Sequence, residues 1–382
     1  MFLWDWICRD DKMDMMYVED CCEILDFMRV PIVASEREKG KYPYYGANGI
    51  QDYVADYIFD DELVLLAEDG GNFGSRERPI AYRVSGKCWV NNHAHVLKPK
   101  DELDVDYLCY SLMFYKVDGM VNGATRQKLT QAAMRKMQIP SRSMDEQKQI
   151  VDELNRIIKI KKQRQKELVL LDDLIKARFV EMFGDVIHND RKWECQQFSD
   201  ITISRLGKML DTKHQTGTCK YPYLANFNVQ WFRFELGNLN EMDFNEKERE
   251  EFCLEDGDLL VCEGGEIGRC AVWHNQIKKC FFQKALHRVR CNQDIILPDY
   301  LSWWFKYNCE NGGFTAIEGA KATISHLTGT KMKMLDVTVP PIELQEQFVD
   351  IIHQVDKSKA AVQKALDETQ MLFDSLMQEY FG

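Results

Sequence analysis

The sequence predicts an α+β fold in which two strand-rich heads are joined to two long helices. The helices are expected to pair antiparallel as a coiled coil, giving a pseudo-twofold internal repeat. Three observations predict this. The 382-residue chain repeats itself at an offset of 198. Two segments of forty residues, 144–183 and 342–381, contain no proline or glycine and carry apolar residues at seven-residue steps. The stretches between them alternate apolar and polar residues as strands do.

The repeat divides the chain into four parts: a first head over 1–128, a first tail over 129–184, a second head over 185–326 and a second tail over 327–382. The tails align without a gap from Leu129-Thr130 on Leu327-Thr328 to Phe183-Gly184 on Phe381-Gly382. Sixteen of the fifty-six pairs are identical, among them Gln147/Gln345, Lys161/Lys359 and Leu168/Leu366. The heads match more loosely. Tyr42-Pro43-Tyr44 resembles Tyr221-Pro222-Tyr223, and Gly70-Gly71 with Gly74 resembles Gly264-Gly265 with Gly268. Fixed tails beside divergent heads suggest a common frame carrying two different readers.

In the first head, residues 51–67 and 79–97 read as strands and Val105–Phe114 as a helix. In the second, Leu259–Cys262, Cys270–Trp273 and Ala285–Arg290 read as strands and Pro298–Tyr307 as a helix. In the first tail, Leu154, Lys161, Leu168, Ile175 and Met182 make a seam, with Ile150, Ile157 and Leu171 beside it. Ile352, Lys359, Leu366, Phe373 and Tyr380 repeat it in the second. Ser143 with Glu146 is a capping box, and Gly184 follows the first helix as a C-terminal cap. Forty residues make a helix about 60 Å long, whose apolar stripe must be buried on something. The matching stripe is 198 residues away. Lys161 and Lys359 interrupt the seams at equivalent places and would fix register.

Composition sets limits. Hydrophobic residues make up 45% and charged residues 29%, which is ordinary globular usage. No apolar run is long enough to span a membrane, and the first residues lack the layout of a signal peptide. Thirteen irregularly spaced cysteines, with no Cys-x-x-Cys, point to buried thiols in a reducing cytoplasm. The net charge of −12 argues against a nucleic-acid binder acting alone, although the first tail carries about +4. The methyltransferase tetrapeptide and the Walker loop are absent from the sequence, and no convincing nuclease signature stands out.

The tail pair carries a family resemblance. Its residues are Leu129-Thr130, Ile139-Pro140, Asp145-Glu146-Gln147 and Ile150-Val151, with Leu327-Thr328, Val339-Pro340-Pro341, Gln345 and Phe348-Val349 in the second copy. Phe183-Gly184-Asp185 and the segment from Tyr42 to Gly49 add to it. The chain resembles the DNA specificity (S) subunit of a type I restriction-modification system over nearly its whole length. Resemblance to that family implies two target recognition domains, each mixed α/β. It also implies helical spacers that dock two methylating (M) subunits, with restriction and translocating (R) subunits beyond them. S-adenosylmethionine, ATP and Mg are then expected on the partners, with no cofactor or metal bound by this chain.

The expected DNA contacts lie in the heads. Asn72 and the glycines around it, followed by Arg76 and Arg78, could approach phosphate or guanine, as could Arg269 after the second glycine loop. Tyr44, Asn48, Tyr223 and Asn226 lie in polar-aromatic loops; asparagine can pair with adenine and tyrosine can reach the backbone. Arg126 precedes the first tail and Lys321 the second, while Lys279 and Lys284 belong to the densest basic stretch of the second head, with Arg288 and Arg290. His93 and His95 share a strand face, where a hydrogen-bonding role is favoured over a metal site.

The expectation is a non-catalytic cytoplasmic reader of double-stranded DNA. Each head would read one half-site, and the coil would hold the heads about 40–60 Å apart, roughly 12–18 base pairs. Two rivals stand beside it. One is a coiled-coil adaptor without a DNA role; the other is a nuclease using Glu36, Glu38 and Lys39, or an acidic cluster near Asp60-Asp61.

Overall fold

The computed structural model describes residues 14–123, 126–210, 217–315 and 326–382. The chain forms two compact units. One contains the residues up to 166 together with 363–382, and the other contains 167–362.

The head of the first unit is built on a six-stranded sheet. Its order is Cys22–Ile24, Ala94–Pro99, Phe59–Ala67, Ala81–Val90, Lys39–Gly46 and Gly49–Val54. All neighbours are antiparallel except Lys39–Gly46 on Ala81–Val90, which runs parallel with Tyr44 opposite Trp89. Leu63–Ala67 are buried on both faces, as the central strand of a covered sheet requires. The helix Val105–Met113 packs on this sheet; Asp104 caps it by accepting from the backbone N–H groups of Asp106 and Tyr107. A short pair, Met15–Tyr17 with Gln138–Pro140, ties the start of the described chain to the tail.

The second head follows the same plan with shorter strands. Its four-stranded sheet runs Thr202–Leu206, Leu286–Cys291, Leu259–Cys262, Cys270–Val272, antiparallel throughout. A second sheet joins Asn240–Asp243, Lys220–Leu224 and Phe281–Phe282, the last pair parallel. The helix Pro298–Glu310 begins on a proline whose missing N–H costs nothing there. Glu194–Gln197 pairs with Asp336–Val339, as Met15–Tyr17 pairs with Gln138–Pro140.

The long helices run Met144–Phe183 and Ile342–Phe381. In the first unit Ile150, Leu154 and Ile157, near the start of the first helix, share a core with Phe373 and Leu376, near the end of the second. In the second unit Ile175, Phe179 and Phe183 share a core with Phe348, Ile352 and Val355. Start meets end in both, so the pairing is antiparallel. The capping box forms: Glu146 accepts from the Ser143 backbone, and Ser143 Oγ accepts from the Glu146 N–H. Gly184 closes the first helix at φ +72°.

The seam differs from a uniform seven-residue repeat. Leu154, Ile175, Ile352 and Phe373 are buried, whereas Lys161, Leu168, Lys359 and Leu366 are only half-buried. Phe179, outside the expected seam, packs against Phe183, Tyr300 and Phe348. A straight helix of 3.6 residues per turn drifts off a seven-step stripe, and the aromatic knobs follow the drift. The half-buried stretches are polar. Lys161 donates to Gln370 and sits 5.1 Å from the Phe373 ring centroid. Arg164 donates to Thr369 Oγ1 and the Ala365 carbonyl, and Lys359 lies 2.6 Å from Asp172. Of the basic run in this helix, Lys161 and Arg164 thus turn inward, while Arg156, Lys159, Lys162 and Lys166 stay exposed.

Candidate nucleic-acid interface

Each head gathers its loops around one hydrogen bond. In the first, Asn48 ends the turn after the strand Lys39–Gly46, and its Nδ2 donates to the Gly70 carbonyl at 2.9 Å. In the second, Asn226 Nδ2 donates to the Gly264 carbonyl, also at 2.9 Å. The two asparagines are 178 residues apart and the two glycines 194. The same bond thus forms although the loops around it differ in length. It ties each glycine-rich loop to the end of the strand that runs parallel to its neighbour.

Around Gly70 the first head adds Arg126, whose Nη2 donates to Asp69 Oδ1 at 2.7 Å. Gly70 has φ +61°, and a Cβ there would come within 3.3 Å of the Arg126 guanidinium. His93 Nδ1 also lies 2.7 Å from Asp69 Oδ1. Asn91 Nδ2 donates to Gln51 Oε1, and Asn91 Oδ1 accepts from the His93 N–H. In the second head Arg269 donates to the Asn226 carbonyl and to its Oδ1. His326 closes the other side of Gly264, where a Cβ would come within 3.0 Å of its ring.

Beneath the first cluster lies a buried charge network. His95 Nδ1 is 2.7 Å from Asp26 Oδ2, and its Nε2 is 2.9 Å from the Leu129 carbonyl. Arg29 reaches Glu68 at 2.6 Å, and Lys128 reaches it at 2.9 Å. Burial pushes the Asp26 carboxyl up, but hydrogen bonds from His95, Gln131 and the Val96 N–H outweigh it and leave it below its ordinary value. Glu68 is likewise raised by burial and lowered further by Arg29 and Lys128. Asp26, Glu68 and His95 are close enough to bracket a cation. Arg29 and Lys128 already supply the positive charge, so the arrangement is an ion-pair network fastening the head to the start of the tail.

The structure sorts the candidate residues. Asn48 and Arg126 converge on Gly70, and Asn226 and Arg269 on Gly264. Asn72 is half-buried in the first glycine loop, where its carbonyl accepts from the Ser75 N–H. Arg76 and Arg78 are exposed and carry no ion pair among the described residues. Lys279 and Lys284 are exposed on the second head. Lys321 lies outside the described residues. Tyr44 and Tyr223 do not fit a DNA contact. Tyr44 is 1% exposed; its OH accepts from the Ile32 N–H, and Arg37 covers its ring. Tyr223 is buried in an aromatic core with Phe244 and Phe281. The Tyr-Pro-Tyr segment is strand, not loop, so its two tyrosines, two residues apart, share one face, on which Tyr44 and Tyr223 are buried. Arg288 is buried, donating to the Glu251 and Cys253 carbonyls, and Arg290 pairs with Asp258 at 2.7 Å. Arg269 is a half-buried brace, turned onto Asn226 and away from any outside phosphate. Glu36, Glu38 and Lys39 are exposed along one segment, Glu36 ending a 3-10 turn and Lys39 opening a strand. Sequence reasoning missed Lys128 and His326, which sit at equivalent places one residue before the repeat begins.

Comparison with known proteins agrees with this duplicated plan. The family model described as type I restriction modification DNA specificity domain matches twice, over residues 10–170 and 190–369. A Haemophilus influenzae protein named as a type I restriction enzyme specificity subunit is 26% identical over 360 residues, covering 91% of this chain and 89% of its own. The MjaX specificity subunit of Methanocaldococcus jannaschii is 21% identical over 193 residues, covering 50% of this chain and 45% of its own. Among solved structures, the S subunit of a type I restriction-modification system from M. genitalium superposes with a TM-score of 0.58 at 13% identity, covering 98% of each chain. A chain from a study of complex assembly and conformational transition of the type I system gives 0.61 at 13% identity, covering 96% of this chain and 97% of that one.

Proposed function

The chain belongs to the type I restriction-modification DNA specificity family and acts in DNA-sequence recognition within such a complex; from that premise we propose that each head reads one half of a split target through its asparagine-tied loop cluster. The observation that carries this is the duplicated bond, Asn48 to Gly70 and Asn226 to Gly264. Two sites are locked in the same way while the residues around them differ. That is what reading two unlike half-sites with one frame requires.

The paired helices set the gap between half-sites and dock the methylating subunits, two per chain. Leu174 and Leu372, identical in the repeat, support this, since they are 41% and 51% exposed. An apolar side chain kept outward in both copies suits a covered surface. Chemistry belongs to the partners: S-adenosylmethionine on the methylating subunits, ATP and Mg on the translocating and cutting ones. This chain binds none of these and is itself non-catalytic, and the complex works in the cytoplasm. Its net charge of −12 weakens unaided DNA binding, so basic partners supply much of the affinity.

Two measurements test the reading. Mapping methylated adenines in the host genome should return a two-part motif with an indifferent gap; a contiguous motif defeats it. DNA binding should be tight and specific only when the methylating subunit is present. Equal specific affinity of the isolated chain would refute the division of labour.

A further inference from the structure

The second head holds an exposed aromatic ring on a rigid turn beside its tied loop. Asn226–Asn228 form a single 3-10 turn in which the middle residue, Phe227, is 56% exposed. Both neighbours are locked. Asn226 donates to the Gly264 carbonyl at 2.9 Å and is held by Arg269 through its own carbonyl and Oδ1. Asn228 is 1% exposed; its Oδ1 accepts from the Ala225 N–H and its Nδ2 donates to the Glu235 carbonyl, both at 2.9 Å. Gln230 Nε2 donates to the carbonyl of Phe227 itself at 3.0 Å. An apolar ring normally relieves its exposure by folding onto a neighbour. Here the turn is fixed on both sides and the ring stands outward.

The first head has nothing in this place. Counting from the tied asparagine, the residue equivalent to Phe227 is Gly49, at φ +108°, and a Cβ built there meets nothing within 4 Å. At this position the two readers therefore share the bond but not the ring; the first head has an exposed ring, Phe27, on a different 3-10 turn, Asp26–Met28.

We propose that Phe227 is a stacking wedge: its ring enters or caps a base step of the half-site read by the second head, a contact that Gly49, at the equivalent place of the first head, cannot make. The inference rests on the reading of the heads as DNA readers. Every base offers a π-face, and apolar side chains inserted at a base step partly unstack it. A ring on a fixed turn requires no backbone ordering on contact and has only two side-chain torsions to lose, which favours it as an anchor.

The test uses the complex of this chain with its methylating subunits and duplexes carrying the mapped target. In one form, residue 227 is replaced by the photo-crosslinking analogue p-benzoylphenylalanine. In another, 2-aminopurine is placed at successive steps other than the methylated adenine. The expected result is a crosslink confined to one half-site, with a fluorescence rise at one step there. Phe227→Ala should abolish that rise and weaken binding about tenfold, while Phe227→Trp retains both. The other half-site should be unaffected, and melting should not change, since the ring is exposed. Wild-type affinity and fluorescence in Phe227→Ala would overturn the wedge alone. So would a crosslink to a methylating subunit, which would make Phe227 a docking contact. A wild-type complex with no sequence-specific binding would instead remove the reading of the heads, and the wedge with it.

Discussion

Gln147 and Gln345 make the same three hydrogen bonds in the two units. Each Oε1 accepts from the backbone at the start of the head's helix, from the Asp104 N–H at 2.8 Å and the Leu297 N–H at 2.9 Å. Each Nε2 donates to a carbonyl just before that helix, Glu102 or Ile295, at 3.0 Å. Each also donates to the carbonyl five residues back, Arg142 at 2.9 Å or Pro340 at 2.8 Å. Both side chains are fully buried. A buried amide that satisfies three backbone groups is a rivet between tail and head.

Replacing either glutamine by leucine strands three polar groups in a dry place. Gln147→Leu or Gln345→Leu should each cost about 2–4 kcal/mol. Denaturant unfolding followed by hydrogen exchange will show whether the loss falls on the unit that holds the altered residue. A change below about 0.5 kcal/mol would mean the rivet is dispensable.

His287 makes the second unit sensitive to acid. Burial holds its imidazole below the ordinary value, against a smaller opposing pull from Glu263, and among the described residues its Nε2 has no hydrogen-bond partner. The unfolded chain takes up a proton near pH 6.5 that the folded one refuses. Stability is therefore full above that pH and falls as pH drops through and below it. Melting temperature measured from pH 7.5 to 5.5 should decline, and His287→Gln should flatten the decline. An unchanged slope in the variant would place the sensitivity elsewhere.

Gly184 cannot take a side chain cheaply. It sits at φ +72°, and a Cβ would come within 2.1 Å of Asp190 Oδ1. Gly184→Ala should destabilise the second unit by about 1–3 kcal/mol. A thermal scan at parity with the wild type would show that the turn relaxes around it.

Contacts with DNA should separate into two classes in the assembled complex. Arg76→Ala and Arg78→Ala remove exposed charges that form no ion pair among the described residues, so each should weaken binding to all sequences alike and lower the salt slope by about one. Asn48→Ala and Asn226→Ala release different loops, so each should relax discrimination in a different half-site. Identical base-substitution profiles for the two asparagine variants would refute separate reading.

The long helices, the repeat and several of the strands were legible because they follow periodicity and identity, which one sequence displays. Ser143, Glu146 and Gly184 could be placed from local chemistry alone. The seam was legible at its ends but not at Lys161, Leu168 or Phe179, since a seven-step reading assumes an even supercoil. Tyr44 and Tyr223 misled for another reason. Aromatic residues beside proline and glycine read as a loop, and only the parallel partner strand shows that they face a core. Arg269 and Arg288 look like phosphate ligands in sequence, yet acceptors that turn them inward come from 35 to 43 residues away. Phe227 carried no signal, because exposure of a ring on a fixed turn belongs to three dimensions.

The first unit borrows residues 363–382 to complete itself. Its earlier part leaves a ribosome almost two hundred residues before the segment that seals Ile150 and Leu154. During synthesis that apolar face has no mate, and closure waits on a very distant stretch of chain. A nascent chain stalled anywhere in the second head would therefore display a sticky, half-built partner to the chaperones, so the rate of translation through residues 167–362 sets how long that hazard lasts.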